Sequence, residues 1–137
     1  MRYVHRAALL SERVGERRFT AQLGVGRAMY LVLRTVEDGV TSQQEIAHLF
    51  ALTKAAVSRH VATATERGWL RAERSPHSRR ENVLTLTDSG RELVARGRQL
   101  QRGYEASSDK VFDEDDVAAA VRILKQMCEF LEGEDKS

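Results

Sequence analysis

The chain has 137 residues, enough for one domain with a real core. It is 42% hydrophobic and 31% charged, with one proline and one cysteine. This excludes a disordered, fibrous or disulfide-stapled chain and fits an ordinary globular protein. Net charge is only +2, but it is unevenly spread: residues 1–50 carry +2, residues 51–103 carry +6 and residues 104–137 carry −6. The basic third suits a polyanion, and the acidic third would be repelled by phosphate.

In chain order, residues 1–16 read as a helix with Val4, Ala8, Leu10 and Val14 inward or at an interface. The segment has neither the long apolar core nor the cleavage pattern of a secretion signal. No run approaches membrane-spanning length, so a cytoplasmic protein with no membrane partner is expected. Residues 19–37 read as a second, very apolar helix and the central strut of the fold, weakened near its start by Gly24-Val25-Gly26. After an Asp38-Gly39 turn, Ser42-Gln43-Gln44-Glu45 forms a capping box, and Ile46, Ala47, Leu49 and Phe50 give the next helix an apolar side.

A short break near Ala51-Leu52 leads to a helix that Thr53 caps and Gly68 ends. Val57, Val61 and Ala64 make its inner stripe at i, i+4 and i+7. Its outer side carries Ala55, Ser58, Arg59 and Ala62, with Lys54 at the N-terminal end. Alone, such a face is a solvated helix surface. Next to the preceding helix it reads as the second helix of a helix-turn-helix, where small residues admit the backbone to a DNA groove and Ser and Arg reach bases and phosphates. Ala51 tolerates a left-handed turn poorly, so a looser or differently shaped turn is expected.

Leu70 and Ala72, then Leu84 and Leu86, alternate with polar neighbours as two short half-buried strands. The loop between them carries Arg79 and Arg80 and reads as a wing able to enter a minor groove. Lys54, Ala55, Ser58, Arg59, Arg79 and Arg80 are the candidate base-reading residues, with Thr53 and Arg74 on phosphates. A long helix follows from Asp88 to about Ser107, capped by Thr87 or Asp88 and weakened by Gly90, Gly97 and Gly103. The last helix starts near Asp113. It carries one apolar stripe of Val117, Val121, Leu124, Cys128 and Leu131, and a second of Ile123, Met127 and Phe130. Either it packs on its own core, with Cys128 as a small core hydrophobe, or it meets a second copy.

His5, His48, His60 and His77 lie on different elements without metal-ligand spacing. No convergent set of acids, bases or nucleophiles points to catalysis, so neither an enzyme nor a cofactor or metal is expected.

Three strings, TSQQEIAHLF, LTKAAVSRHV and ERGWLRAERSPHSRRENVLTLTDSGREL, resemble the MarR family of bacterial winged-helix regulators. The motif positions read Ser58-Arg59, Gly68, Ser78-Arg79-Arg80 and Leu86-Thr87-Asp88-Ser89-Gly90. Ser78 stands where the family usually has a wing-bracing aspartate, and Ala64 where leucine is usual, with Trp69 able to fill that volume. The resemblance implies a mainly α fold with a small β-wing (α+β) and about six helices. It implies one domain over 1–137, with a winged helix-turn-helix at 39–104 and a dimerisation part at 1–38 and 105–137. Val4, Val117, Val121, Leu124, Cys128 and Leu131 would form the homodimer interface. It implies a homodimeric repressor in the bacterial cytoplasm, bound to pseudo-palindromic double-stranded DNA and released by a small aromatic effector. Tyr3, His5, Tyr30 and Tyr104 could line the effector site or simply pack. The alternative is a winged-helix protein-interaction module without a specific operator.

Overall fold

The computed structural model describes residues 1–77 and 82–135. Six helices and one two-stranded antiparallel sheet follow in the order α1 (Arg2–Leu23), α2 (Arg27–Glu37), α3 (Gln43–Leu49), α4 (Lys54–Glu66), β1 (Leu70–Arg74), β2 (Asn82–Leu86), α5 (Asp88–Ser108) and α6 (Glu114–Asp135). The expected mainly α winged helix is the fold observed. Contacts divide the chain into two compact units, Met1–Leu100 and Gln101–Ser137.

The first break lies elsewhere than expected. Helix α1 runs through residues 17–18 and ends at Gly24, whose φ of 71° places it in the left-handed region and whose N–H donates to the Thr20 carbonyl at 3.0 Å. Gly24-Val25-Gly26 therefore separates two helices rather than weakening the start of one. A glycine reaches that backbone conformation without the Cβ clash other residues suffer, and residues 17–18 offer no such breaker. Two carboxylates one turn apart on α1 receive the start of α2. The Glu16 carboxylate accepts the Arg27 backbone N–H at 2.8 Å, and Glu12 pairs with the Arg27 guanidinium at 3.2 Å.

Helix α2 is the strut. Met29, Tyr30, Val32, Leu33, Thr35 and Val36 are buried in it, each large apolar side chain contributing roughly 1.5–3 kcal/mol. The Tyr30 ring sits 4.7 Å from that of Phe19. Gly97 of α5 lies so close to Tyr30 that an added Cβ would come within 2.3 Å of the ring. Gly97 is thus a close-packing position, where propensity alone read only a weak point.

Helices α2, α3 and α4 end in the same way. In each, one backbone N–H reaches back three residues and the next reaches back five: Gly39 to Val36 and Val40 to Thr35, Ala51 to His48 and Leu52 to Ala47, Gly68 to Thr65 and Trp69 to Ala64. This is the Schellman motif, and its turning residue is left-handed. The φ values are 99° at Gly39, 50° at Ala51 and 74° at Gly68. The turn between α3 and α4 is therefore not looser: Ala51 adopts the left-handed conformation despite its Cβ.

Strands β1 and β2 pair from Leu70↔Leu86 to Arg74↔Asn82. Leu70 and Leu84 are buried, and the Leu84 N–H donates to the Thr41 carbonyl at 3.1 Å, tying the hairpin to the segment before α3. Ala72 is exposed, contrary to the half-buried strand expected, because only the first residue of β1 reaches the core.

In the second unit, α6 begins where the Asp113 carboxylate accepts the Asp115 N–H at 2.9 Å. No residue of α6 is buried. Cys128 is exposed, which corrects its reading as a core hydrophobe of this chain.

Candidate nucleic-acid interface

Helix α4 owes its shape to a cap at each end. The Thr53 hydroxyl accepts the Ala56 N–H at 3.1 Å, and Gly68 carries the closing turn. Val57, Val61 and Ala64 are buried, which turns the opposite face outward. Thr53, Lys54, Ala55, Ser58, Arg59 and Ala62 are exposed. At 100° per residue Ala55, Arg59 and Ala62 fall within about 60° of one another, with Ser58 on the flank. His60 is half-buried and lies off this face.

Helix α3 braces α4. The Ser42 hydroxyl accepts the Glu45 N–H at 3.4 Å, and Ile46 and Ala47 are buried toward α4 and the core. The small Ala47 side chain permits the close crossing.

The residue pair Gly68-Trp69 joins α4 to the hairpin and to α5. Thr87 fastens it twice and caps α5: its N–H donates to the Trp69 carbonyl at 3.0 Å, and its hydroxyl donates to the Gly68 carbonyl at 2.5 Å and accepts the Gly90 N–H at 3.1 Å. Gly90 is pressed on the same backbone, since an added Cβ would lie 2.1 Å from the Trp69 carbonyl oxygen. Trp69 is half-buried against the core and carries the Arg67 guanidinium 5.4 Å from its ring centroid.

The basic residues of this part separate into two groups. On α5, Arg91 pairs with Asp88, Arg98 pairs with Glu37 and with Asp38 (3.1 Å), and Arg96 donates to the Gln22 carbonyl at 3.2 Å. Among the described residues, Lys54, Arg59, Arg71 and Arg74 form no ion pair, and all four are exposed.

Residues 23–81 match the model of the MarR family. This stretch is similar to that family. The whole chain also shares its fold with solved structures. A MarR/EmrR family transcriptional regulator from Acinetobacter sp. ADP1 superposes with a TM-score of 0.87 at 20% identity, over 96% of this chain and 93% of that one. A MarR family transcriptional regulator from Streptomyces coelicolor, solved in complex with DNA, gives 0.85 at 22% identity over 95% and 84%. BpsR from Bordetella bronchiseptica, whose DNA binding is regulated by 6-hydroxynicotinic acid, gives 0.75 at 21% identity over 92% and 98%. No curated protein matches the sequence significantly.

The Leu86-Thr87-Asp88-Ser89-Gly90 string is the clamp just described. Sequence had identified the string but not its work, because the partner is backbone at Gly68 and Trp69. Arg74 ends β1, exposed. Arg79 and Arg80, the expected wing residues, and Ser78 lie outside the described residues. Of the residues considered for an effector pocket, Tyr30 is a core side chain, its phenol pushed above its usual pKa chiefly by burial. Tyr3, His5 and Tyr104 are exposed. Val4, Val117, Val121, Leu124, Cys128 and Leu131, the expected dimer residues, are all exposed. Among the described residues, no three His, Cys, Asp or Glu side chains stand close enough to hold a metal ion, and no helix is long and apolar enough to cross a membrane.

Proposed function

We propose that the chain is a sequence-specific transcriptional regulator of double-stranded DNA that works as a homodimeric repressor. The observation that carries this reading is the outer face of α4. It is capped, small and unpaired in charge, and a DNA-contacting geometry needs all three. Lys54, Ala55, Ser58 and Arg59 read the major groove, Thr53 and Arg74 hold phosphates, and Arg79 and Arg80 reach the neighbouring minor groove. The DNA-bound Streptomyces relative supports the same use of this fold.

Two copies joined through the exposed apolar residues of α6 and Val4 would bind an inverted repeat, with half-sites about 10 bp apart. Release by a small aromatic effector, in the cytoplasm of a bacterium, is supported by the resemblance to the MarR family and by BpsR, whose own DNA binding is regulated by 6-hydroxynicotinic acid. Selection from a random duplex library, repeated at two salt concentrations, tests the reading. Enrichment of an inverted repeat is the expected result. Binding that appears only at low salt without any enriched sequence would favour a protein-interaction module instead.

A further inference from the structure

Two alanines sit where a groove-entering helix usually spends its polar side chains. Ala55 and Ala62 are both exposed, and they bracket Arg59 on the face directly opposite Val57, Val61 and Ala64. Along the axis, Ala55 lies about 6 Å before Arg59 and Ala62 about 4.5 Å after it. Whatever angle the helix makes with the DNA axis, each separation spans at most about two base-pair steps of roughly 3.4 Å. A methyl group at such a position has one specific partner in the major groove, the C5-methyl of thymine, whereas an arginine fork matches the O6 and N7 of guanine. Glu66 continues the same face a further turn on, exposed, and its charge turns the reading stretch away from phosphate beyond Ala62.

We propose that Ala55 and Ala62 are specificity-determining residues that read thymine methyl groups, so that each half-site holds a guanine with thymines within two base pairs on its flanks. This deepens the regulator reading and rests on it. The selected duplex supplies the test. Each flanking thymine is replaced in turn by deoxyuridine, which keeps every hydrogen-bonding group and removes only the methyl. Losing one buried methyl contact lowers affinity about four-fold per half-site. The effect should vanish in the matching variant, Ala55→Gly or Ala62→Gly. Because the thymine-to-deoxyuridine ratio is measured within one protein, any general weakening of the variant cancels.

Equal affinity for every deoxyuridine duplex overturns the proposal while leaving sequence-specific binding intact; the alanines would then only admit the backbone. A deoxyuridine effect that persists unchanged in both glycine variants overturns it as well. A library that yields no enriched sequence removes the proposal together with the regulator reading.

Discussion

Two helices carry the same apolar spacing and put it to opposite use. In α4, Val57, Val61 and Ala64 stand at i, i+4 and i+7 and are 0%, 5% and 0% exposed. In α6, Val117, Val121 and Leu124 stand at the same spacing and are 44%, 46% and 47% exposed. Periodicity reports that a helix has an apolar face; it does not report what covers that face. The α4 stripe is covered by the chain's own core, so its polar side is left for a ligand. The α6 stripe has Cys128, Leu131, Ile123 and Phe130 beside it, also exposed. A surface of that extent calls for a partner, and a second copy is the occupant proposed above.

The sharpest way to break the comparison is to put a charge on the α6 stripe. Leu124→Lys should convert the dimer to monomer and lower operator affinity about 100-fold or more, because an unpaired charge cannot be buried cheaply. Sedimentation and a DNA titration would check this, and an unchanged sedimentation coefficient would mean that α6 is not the dimer contact. Within the winged helix, Gly90→Ala should cost about 3 kcal/mol in thermal or denaturant unfolding, since its Cβ collides with the Trp69 carbonyl oxygen rather than with a flexible side chain. The matching Gly103→Ala, in open space on the same helix, should be neutral or slightly stabilising.

On the outer face of α4, Arg59→Ala should weaken operator binding by about 1–3 kcal/mol without changing the melting temperature, and Arg80→Ala should do the same from the wing. Ala51→Gly should stabilise the fold by about 1 kcal/mol, because the left-handed conformation penalises a Cβ and the same motif at Gly39 and Gly68 avoids it. The smallest effect is alkaline. The buried Tyr30 phenol has a raised pKa, so its contribution is constant below about pH 10 and is lost as pH rises further and the unfolded phenol ionises first. Tyr30→Phe should flatten that alkaline limb in unfolding experiments.

Much of this was legible from sequence wherever one local rule decided the outcome. Thr53 and Ser42 cap as their hydroxyls dictate, Gly68 closes α4, and the apolar stripes of α2 and α4 are buried as their period requires. What sequence did not reveal depends on contacts between distant residues. Nothing local distinguishes Gly97, where an added Cβ would strike the Tyr30 ring, from Gly103, where it would meet open space. Arg98 reads as a solvated helix residue until Glu37 and Asp38 are brought to it. The left-handed Ala51 shows tertiary packing overriding local preference: the crossing of α3 and α4 demands the turn whether or not the residue suits it. Cys128 is exposed in the chain, which removes its reading as a core hydrophobe of this chain and leaves the dimer-interface reading as a proposal, since an apolar stripe does not declare its cover.

The reading of α4 as a base-reading helix is tested most directly by one ratio: the affinity for the selected inverted repeat over that for a scrambled duplex of equal length and composition, at physiological salt. A ratio of about 1,000 or more is expected of an operator-reading dimer. A ratio near one would mean that Lys54, Arg59 and Arg74 hold phosphate alone, and that the outer face of α4 reads no sequence.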